Sequence, residues 1–121
     1  MTVLVWLGVA ALGGLGALLR FQLDEIVQLR LGGELPIGTL VVNAVGTFAL
    51  GFLRGLSVTG DDLLVVGTAM LGSFTTFSTW MLETERLAEE GDSGFGIVNV
   101  VGSTLVGVAA AAAGWALGAA L

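Results

Sequence analysis

The chain has 121 residues, of which 55% are hydrophobic, with a mean hydropathy of +0.99 and a formal net charge of −6. This composition disfavours a soluble helical bundle, which would need charged faces on its helices. The acidic balance argues against nucleic-acid binding, and the absence of cysteine and histidine removes disulfides, thiolate chemistry and imidazole metal ligands.

Four stretches without charged residues divide the chain, and a helix needs about 20 apolar residues to cross a bilayer. We therefore predict an all-α membrane protein, a single domain of four transmembrane helices. The predicted spans are residues 2–21, 36–54, 62–88 and 95–118. A secretory signal is the alternative for the first stretch, which lacks a basic N-terminal region and a persuasive cleavage site.

Arg20 ends the first predicted span and is followed by a polar loop that contains Asp24, Glu25, Arg30 and Gly32-Gly33-Glu34. Arginine at the end of a span usually extends its side chain to the membrane interface. The alternative is that Arg20 draws anions toward a pore mouth. Position alone favours the interfacial role.

Pro36 opens the second span, where its missing N–H costs nothing in a first helical turn. Asn43 lies near the middle of this span. An amide at that depth must find hydrogen-bond partners, so Asn43 either joins helices or donates to a dehydrated anion. Its position does not decide between the two roles.

The third uncharged stretch, residues 63–82, contains the polar run 72–80, in which six of nine residues are glycine, serine or threonine. Polar groups are costly in hydrocarbon, so the run indicates an interior pathway rather than a lipid-facing surface. Glycine and clustered hydroxyls also allow a helix to break where the freed backbone is buried or lines a cavity. We predict such a break in the third helix.

Phe77 and Trp80 are three residues apart and share a helical face, with Ser78 and Thr79 beside them. Aromatic rings have positive edges that stabilise an anion without a full charge that would trap it. The alternative is a core aromatic stripe whose neighbouring hydroxyls bond to carbonyls one turn earlier. The segment alone supports both interpretations almost equally.

The fourth span adds polarity at Asn99, Ser103 and Thr104, and it carries Gly114-x-x-x-Gly118. Small residues at this spacing permit close helix approach, either at a subunit interface or within one bundle. Both uses remain open.

The arginines give only a weak orientation signal. Arg20, Arg30 and Arg86 fall on one side and Arg54 on the other, which leaves insertion in both directions plausible. Four short helices of one subunit are too few to enclose a pore, so we expect at least a dimer. An antiparallel pair would resemble the inverted repeats of larger transporters.

With these residues in view, the chain resembles the Fluc/CrcB family of fluoride channels along essentially its whole length. Three ordered motifs carry the resemblance: Gly13-Gly14-x-Gly16-Ala17-x-x-Arg20, Gly38-Thr39-x-x-Val42-Asn43-x-x-Gly46-x-Phe48 and Gly72-Ser73-Phe74-Thr75-Thr76-Phe77-Ser78-Thr79.

The resemblance implies a passive channel in the cell membrane, not an enzyme, that exports fluoride down its gradient. It implies an antiparallel, dual-topology dimer with two pores, whose partner is an identical chain or a paralogous subunit. It also implies a structural sodium ion at the dimer centre, held by the backbone carbonyls of Gly72 and Thr75.

By the same resemblance, the fluoride pathway is lined by Asn43, Phe77, Ser78, Thr79, Trp80 and Thr104. The family usually has a second phenylalanine where this chain has Trp80, and a tyrosine where it has Val100. An alternative register pairs Phe74 with Phe77, although the motif alignment disfavours it.

Two other classes compete with a channel. A small dual-topology exchanger for cationic drugs would need an intramembrane carboxylate, and the four uncharged stretches contain none. A non-transporting membrane assembly protein would tolerate changes at Phe77 and Asn43. Coupling to ATP through a Walker loop is excluded within this chain, which has no lysine.

Overall fold

The computed structural model describes residues 2–33 and 35–121, and the elements of this part of the chain are all helical. We number them α1 (Val3–Leu31), α2 (Ile37–Gly55), α3 (residues 60–74), α4 (Ser78–Glu89) and α5 (Ser93–Ala120). Four helical stretches are long and apolar enough to cross a membrane: Val3–Leu31, Ile37–Gly55, Gly60–Glu89 and Ser93–Ala120. The predicted all-α architecture with four membrane-spanning helices is thereby confirmed.

The third of these stretches is interrupted at residues 75–77, within the polar run. Before the interruption, α3 begins with an α-helical turn at Gly60–Asp62, widens into a π-helix at Leu63–Leu71 and ends in an α-helical turn at Gly72–Phe74. Thr75 is extended, with φ −82° and ψ 160°. The π-helix lies in the mostly apolar residues directly before the polar run 72–80. Helical turns of this kind are rare and occur frequently near functional sites.

The polar loop predicted after Arg20 is wrong for residues 22–31, which continue α1 as helix. Charged side chains end an apolar segment, but they do not end a helix, and no glycine or proline occurs there before Gly32. The N–H of Gly32 donates to the Gln28 carbonyl (3.0 Å) and closes the last turn. Glu34, which belongs to the same predicted loop, lies outside the described residues.

The helices α2 and α5 form the most extensive pair in the bundle. A Cβ atom on Gly114 would collide with the Phe48 carbonyl, and one on Gly118 would collide with the Phe52 carbonyl. The two glycines therefore let α5 lie directly against the backbone of α2. Of the two uses predicted for this motif, a subunit interface or packing within one bundle, the structure shows packing within one bundle.

Most large apolar side chains face outward. In the described part of the chain the buried hydrophobic residues are Val42, Phe74 and Leu87, whereas Trp6, Leu105 and many others are exposed. An exposed apolar surface of this extent suits lipid, where helices associate through close packing and hydrogen bonds rather than through a hydrophobic core.

Candidate functional site

The interruption between α3 and α4 is held by a side chain of α2. Asn43 Nδ2 donates to the Thr76 carbonyl (2.9 Å), and the Thr76 N–H donates to Asn43 Oδ1 (2.8 Å). The amide thus satisfies both backbone groups of a residue that has left the helix. A side-chain amide has two N–H groups, so the second one remains for another acceptor.

Thr76 also organises the start of α4, because its Oγ1 accepts from the Thr79 N–H (3.2 Å). In an uninterrupted α-helix the amides of Thr76 and Thr79 would donate to the carbonyls of Gly72 and Thr75. Here both amides donate to side-chain oxygens instead. The carbonyls of Gly72 and Thr75 are therefore relieved of their helical donors.

Those two carbonyls are the pair that the resemblance assigns to sodium, and the donor set fits the ion. Carbonyl oxygen is a hard ligand suited to cations that prefer oxygen. No group of three or more carboxylates that could hold a metal occurs within residues 2–33 and 35–121. A cation at the interruption would therefore depend on neutral oxygens, those of the backbone and of the threonine hydroxyls.

Gly46 brings the interruption against α2. A Cβ atom at this position would collide with Thr75 Cγ2 and would press on the Phe74 ring. Only glycine leaves space for Thr75 to approach, and this approach places Thr76 within reach of Asn43, one turn earlier on α2.

Two cavities meet at Thr76. The first, which we call the Arg20 cavity, has a volume of about 160 Å³ and is lined by Arg20, Phe21, Asp24, Thr39, Val42, Thr76 and Thr79. The second, the Phe77 groove, has a volume of about 470 Å³ and is open on one side. Residues of three helices and of the interruption line it, among them Asn43, Thr76, Phe77, Trp80, Ser103 and Thr104. Thr76 and its Asn43 clamp therefore stand where a charged cavity adjoins an uncharged groove.

The rings of Phe77 and Trp80 pack edge to face. The centroids of Phe77 and Trp80 are 5.8 Å apart, with an interplanar angle of 85°. Phe77 is 69% exposed, which is a large exposure for a phenylalanine. The indole Nε1–H of Trp80 donates to the Asn99 carbonyl (3.2 Å), so this donor is already used and the ring is tied to α5.

Asn99 was not among the predicted site residues, yet it organises the α4–α5 contact. It is only 6% exposed, and its Nδ2 donates to Thr84 Oγ1 (2.8 Å). The Ser103 hydroxyl donates to Asn99 Oδ1 (3.4 Å), as their four-residue spacing on one helical face permits. The same spacing was the only sequence signal for this network.

The remaining predicted site residues lie in different places. Arg20 and Thr79 line the Arg20 cavity, whereas Thr104 lines the Phe77 groove and donates its hydroxyl to the Val100 carbonyl (2.7 Å). Ser78 and Gly72 are exposed and line neither cavity. Within one subunit the predicted site residues therefore do not all line the same cavity.

Phe74 does not take part in either cavity. It is buried, at 8% exposure, beside Gly46, whereas Phe77 and Trp80 both line the groove. The alternative register, which pairs Phe74 with Phe77, would therefore combine a buried residue with a residue of the groove.

A carboxylate that the sequence reasoning set aside lies inside the bundle. Glu83 follows the third uncharged stretch directly, and it is half-buried on α4. Its Oε1 accepts a hydrogen bond from the Thr39 hydroxyl (2.5 Å), and Thr39 lines the Arg20 cavity. The four uncharged stretches contain no carboxylate, but Glu83 lies just outside them. A channel and an exchanger must therefore be distinguished by what the protein transports.

The fold and the site define a class: a multi-pass membrane protein in which an interrupted helix borders one cavity with charged side chains and one groove with aromatic and hydroxyl side chains. The family described as "CrcB-like protein, Camphor Resistance (CrcB)" matches residues 7–115 of the chain. The chain belongs to this family, which confirms the resemblance drawn from its motifs.

Relatives from distant organisms are similar over most of their length. A protein of Mycolicibacterium paratuberculosis, named fluoride-specific ion channel FluC 2, is 51% identical over 91% of this chain and 90% of its own. One of Haloarcula marismortui with the same name is 48% identical over 83% and 84%. The fluoride-specific ion channel FluC of Thermus thermophilus is 40% identical over 96% of both chains.

Proposed function

We propose that the chain is a subunit of a passive, fluoride-selective channel that exports fluoride across the cell membrane and prevents its toxic accumulation. It performs no covalent chemistry and is not an enzyme. The observation that carries the proposal is the meeting of the Arg20 cavity and the Phe77 groove at the Asn43–Thr76 clamp.

This arrangement suits a small, strongly hydrated anion. At the inner end of the path the anion meets the free amide N–H of Asn43, and then the ring edge of Phe77. Neither group carries a full charge, so the anion is solvated without being held too tightly to leave. Trp80 contributes its ring edge rather than its N–H, since that donor is bonded to Asn99.

A second subunit completes the path. The Phe77 groove is open on one side, and Phe77 projects from it with most of its surface exposed. We infer an antiparallel, dual-topology dimer whose partner covers the groove, so that Ser78, exposed in one subunit, comes to lie along the path. The partner is a second copy or a paralogous subunit, and relatives numbered FluC 1 and FluC 2 make the paired arrangement plausible.

A structural sodium ion at the dimer centre fits the same interruption. The carbonyls of Gly72 and Thr75 are relieved of their helical donors by Asn43 and by the Thr76 hydroxyl. Bound there, the ion would be held by these two backbone oxygens and would offset the negative ends of their dipoles. Its role in this proposal is to hold the two subunits together, not to move with fluoride.

Efflux from liposomes tests the function. Purified protein is reconstituted into vesicles loaded with potassium fluoride or potassium chloride, and release is followed with ion electrodes after valinomycin supplies a potassium path. The proposal predicts rapid fluoride release with negligible chloride release. Well-folded protein that releases neither ion would overturn it.

The same vesicles separate the alternative classes. An exchanger acting through Glu83 would move a cation in exchange for protons, and it would leave fluoride efflux at the level of empty vesicles. An assembly protein would move nothing. Fluoride efflux that needs no proton gradient therefore distinguishes the channel from both.

A further inference from the structure

The Arg20 cavity contains a negative charge that an anion pathway does not need. Asp24 follows Arg20 by one helical turn on α1, and both line this cavity together with Thr39, Thr76 and Thr79. The Asp24 side chain lies against Gly38 at the start of α2, where any added Cβ would collide with its Oδ1. The carboxylate is thus fixed at the cavity wall by the approach of two helices.

The two charges act on an entering anion in opposite senses. Arg20 attracts it, and Asp24 repels it from a position in the same cavity of about 160 Å³. Where one sign of charge lines a cleft with low-dielectric walls, the local concentration of a charged solute changes by a factor of ten or more. Without the charge of Asp24, Arg20 would be the one charged residue, among residues 2–33 and 35–121, that lines this cavity. Glu83 adds a second carboxylate close by, although its Oε1 is engaged by the Thr39 hydroxyl.

Resting on the proposed channel function, we propose that Asp24 is a rate-limiting electrostatic brake at the mouth of the pathway. It lowers the local concentration of fluoride and offsets the attraction of Arg20, whereas the neutral Asn43 and Phe77 solvate the ion further in. Asp24 sets how fast fluoride enters, and it does not touch the ion at the inner site.

The neighbouring residue provides a matched control. Glu25 carries the same charge one position further along α1, but it is exposed and does not line the Arg20 cavity. Asp24→Asn and Glu25→Gln remove one negative charge each and keep the side-chain shape. A general effect of net charge would change both variants alike, whereas a local brake changes only the first.

The experiment measures fluoride efflux from liposomes at fluoride concentrations well below saturation, where entry limits the rate. At an ionic strength of about 0.01 M, where the Debye length is about 30 Å, we expect Asp24→Asn to raise efflux roughly three- to tenfold. At an ionic strength of about 1 M, where the Debye length is about 3 Å, the efflux rate of Asp24→Asn should approach that of wild type. Glu25→Gln should stay within about twofold of wild type throughout.

Each outcome bears on the proposal. Equal efflux for Asp24→Asn and Glu25→Gln, slower efflux for Asp24→Asn, or an increase that salt does not reduce would overturn it. Aggregation of Asp24→Asn and also of Asp24→Ser, seen by size-exclusion chromatography, would overturn it as well, because Asp24 would then serve the fold. Wild-type protein without fluoride efflux would instead refute the channel function itself.

Discussion

Asn43 of α2 and Thr76 of the interruption are joined by two hydrogen bonds of 2.9 Å and 2.8 Å that use both the oxygen and the nitrogen of the side-chain amide. The pair replaces the helical hydrogen bonds that Thr76 gives up at the interruption. One side chain therefore fixes the backbone break, holds the residue that lines both cavities and frees the Gly72 carbonyl.

Replacing Asn43 by leucine should destabilise the protein, because both backbone groups of Thr76 lose their partner. The expected loss is roughly 2–6 kcal/mol, or about 1–3 kcal/mol for each unsatisfied group. Unfolding in detergent, followed by circular dichroism, measures it. Thr47→Val serves as the control, since the Thr47 hydroxyl donates only within α2, to the carbonyls of Asn43 and Ala44. Wild-type stability in Asn43→Leu would contradict the clamp.

Trp80→Phe should retain fluoride efflux within about threefold of wild type, because the ring edge stays and only the bond from Nε1 to Asn99 is lost. Loss of that bond should reduce stability by about 1 kcal/mol. Trp80→Ala removes the edge as well, and we expect it to slow efflux by more than about tenfold. If phenylalanine and alanine reduced efflux equally, the indole N–H rather than the ring edge would be the functional group.

Gly114→Ala should reduce stability by about 1–3 kcal/mol or more, since the new Cβ would collide with the Phe48 carbonyl on α2. Gly102→Ala is the matched control on the same helix, because nothing lies within 4 Å of a Cβ placed there. Thermal unfolding of the two variants should differ clearly. Equal midpoints would mean that α2 and α5 do not pack as described.

Gly72→Val tests the cation site. A Cβ on Gly72 meets nothing within 4 Å in one subunit and its φ is −63°, so the substitution should leave the subunit fold intact. If Gly72 faces a sodium ion and a second subunit, the variant should form dimers only at higher protein concentration. Analytical ultracentrifugation with sodium and with potassium measures this. Variant dimers that form as tightly as those of the wild type, with no dependence on sodium, would exclude the proposed ion.

Much of the architecture could be predicted from the uncharged stretches, because membrane helices reveal themselves through length and apolarity alone. The extent of α1 could not, since the charges of residues 22–31 end the apolar run without breaking the helix. The use of Gly114-x-x-x-Gly118 within the bundle also required coordinates, because the motif permits close approach without naming the partner helix.

For the site, the motifs located the interruption and the aromatic pair, but the partners of polar side chains could not be predicted. The position of Asn43 alone does not decide between joining helices and donating to an anion. In the structure one of its N–H groups binds the Thr76 carbonyl, and the other stays free to donate to an anion. Asp24 and Glu83 were missed because they lie beyond the uncharged stretches, and only the helix packing brings them to the Arg20 cavity or next to Thr39.

The central claim is that fluoride passes the edge of Phe77, and the efflux rate of Phe77→Ile tests it most directly. Phe95→Ile makes the same change in a phenylalanine that lines neither cavity, and it controls for general effects on assembly. We expect Phe77→Ile dimers to release fluoride more than about tenfold more slowly than wild type, with Phe95→Ile close to wild type. Unchanged efflux through well-folded Phe77→Ile dimers would contradict the account.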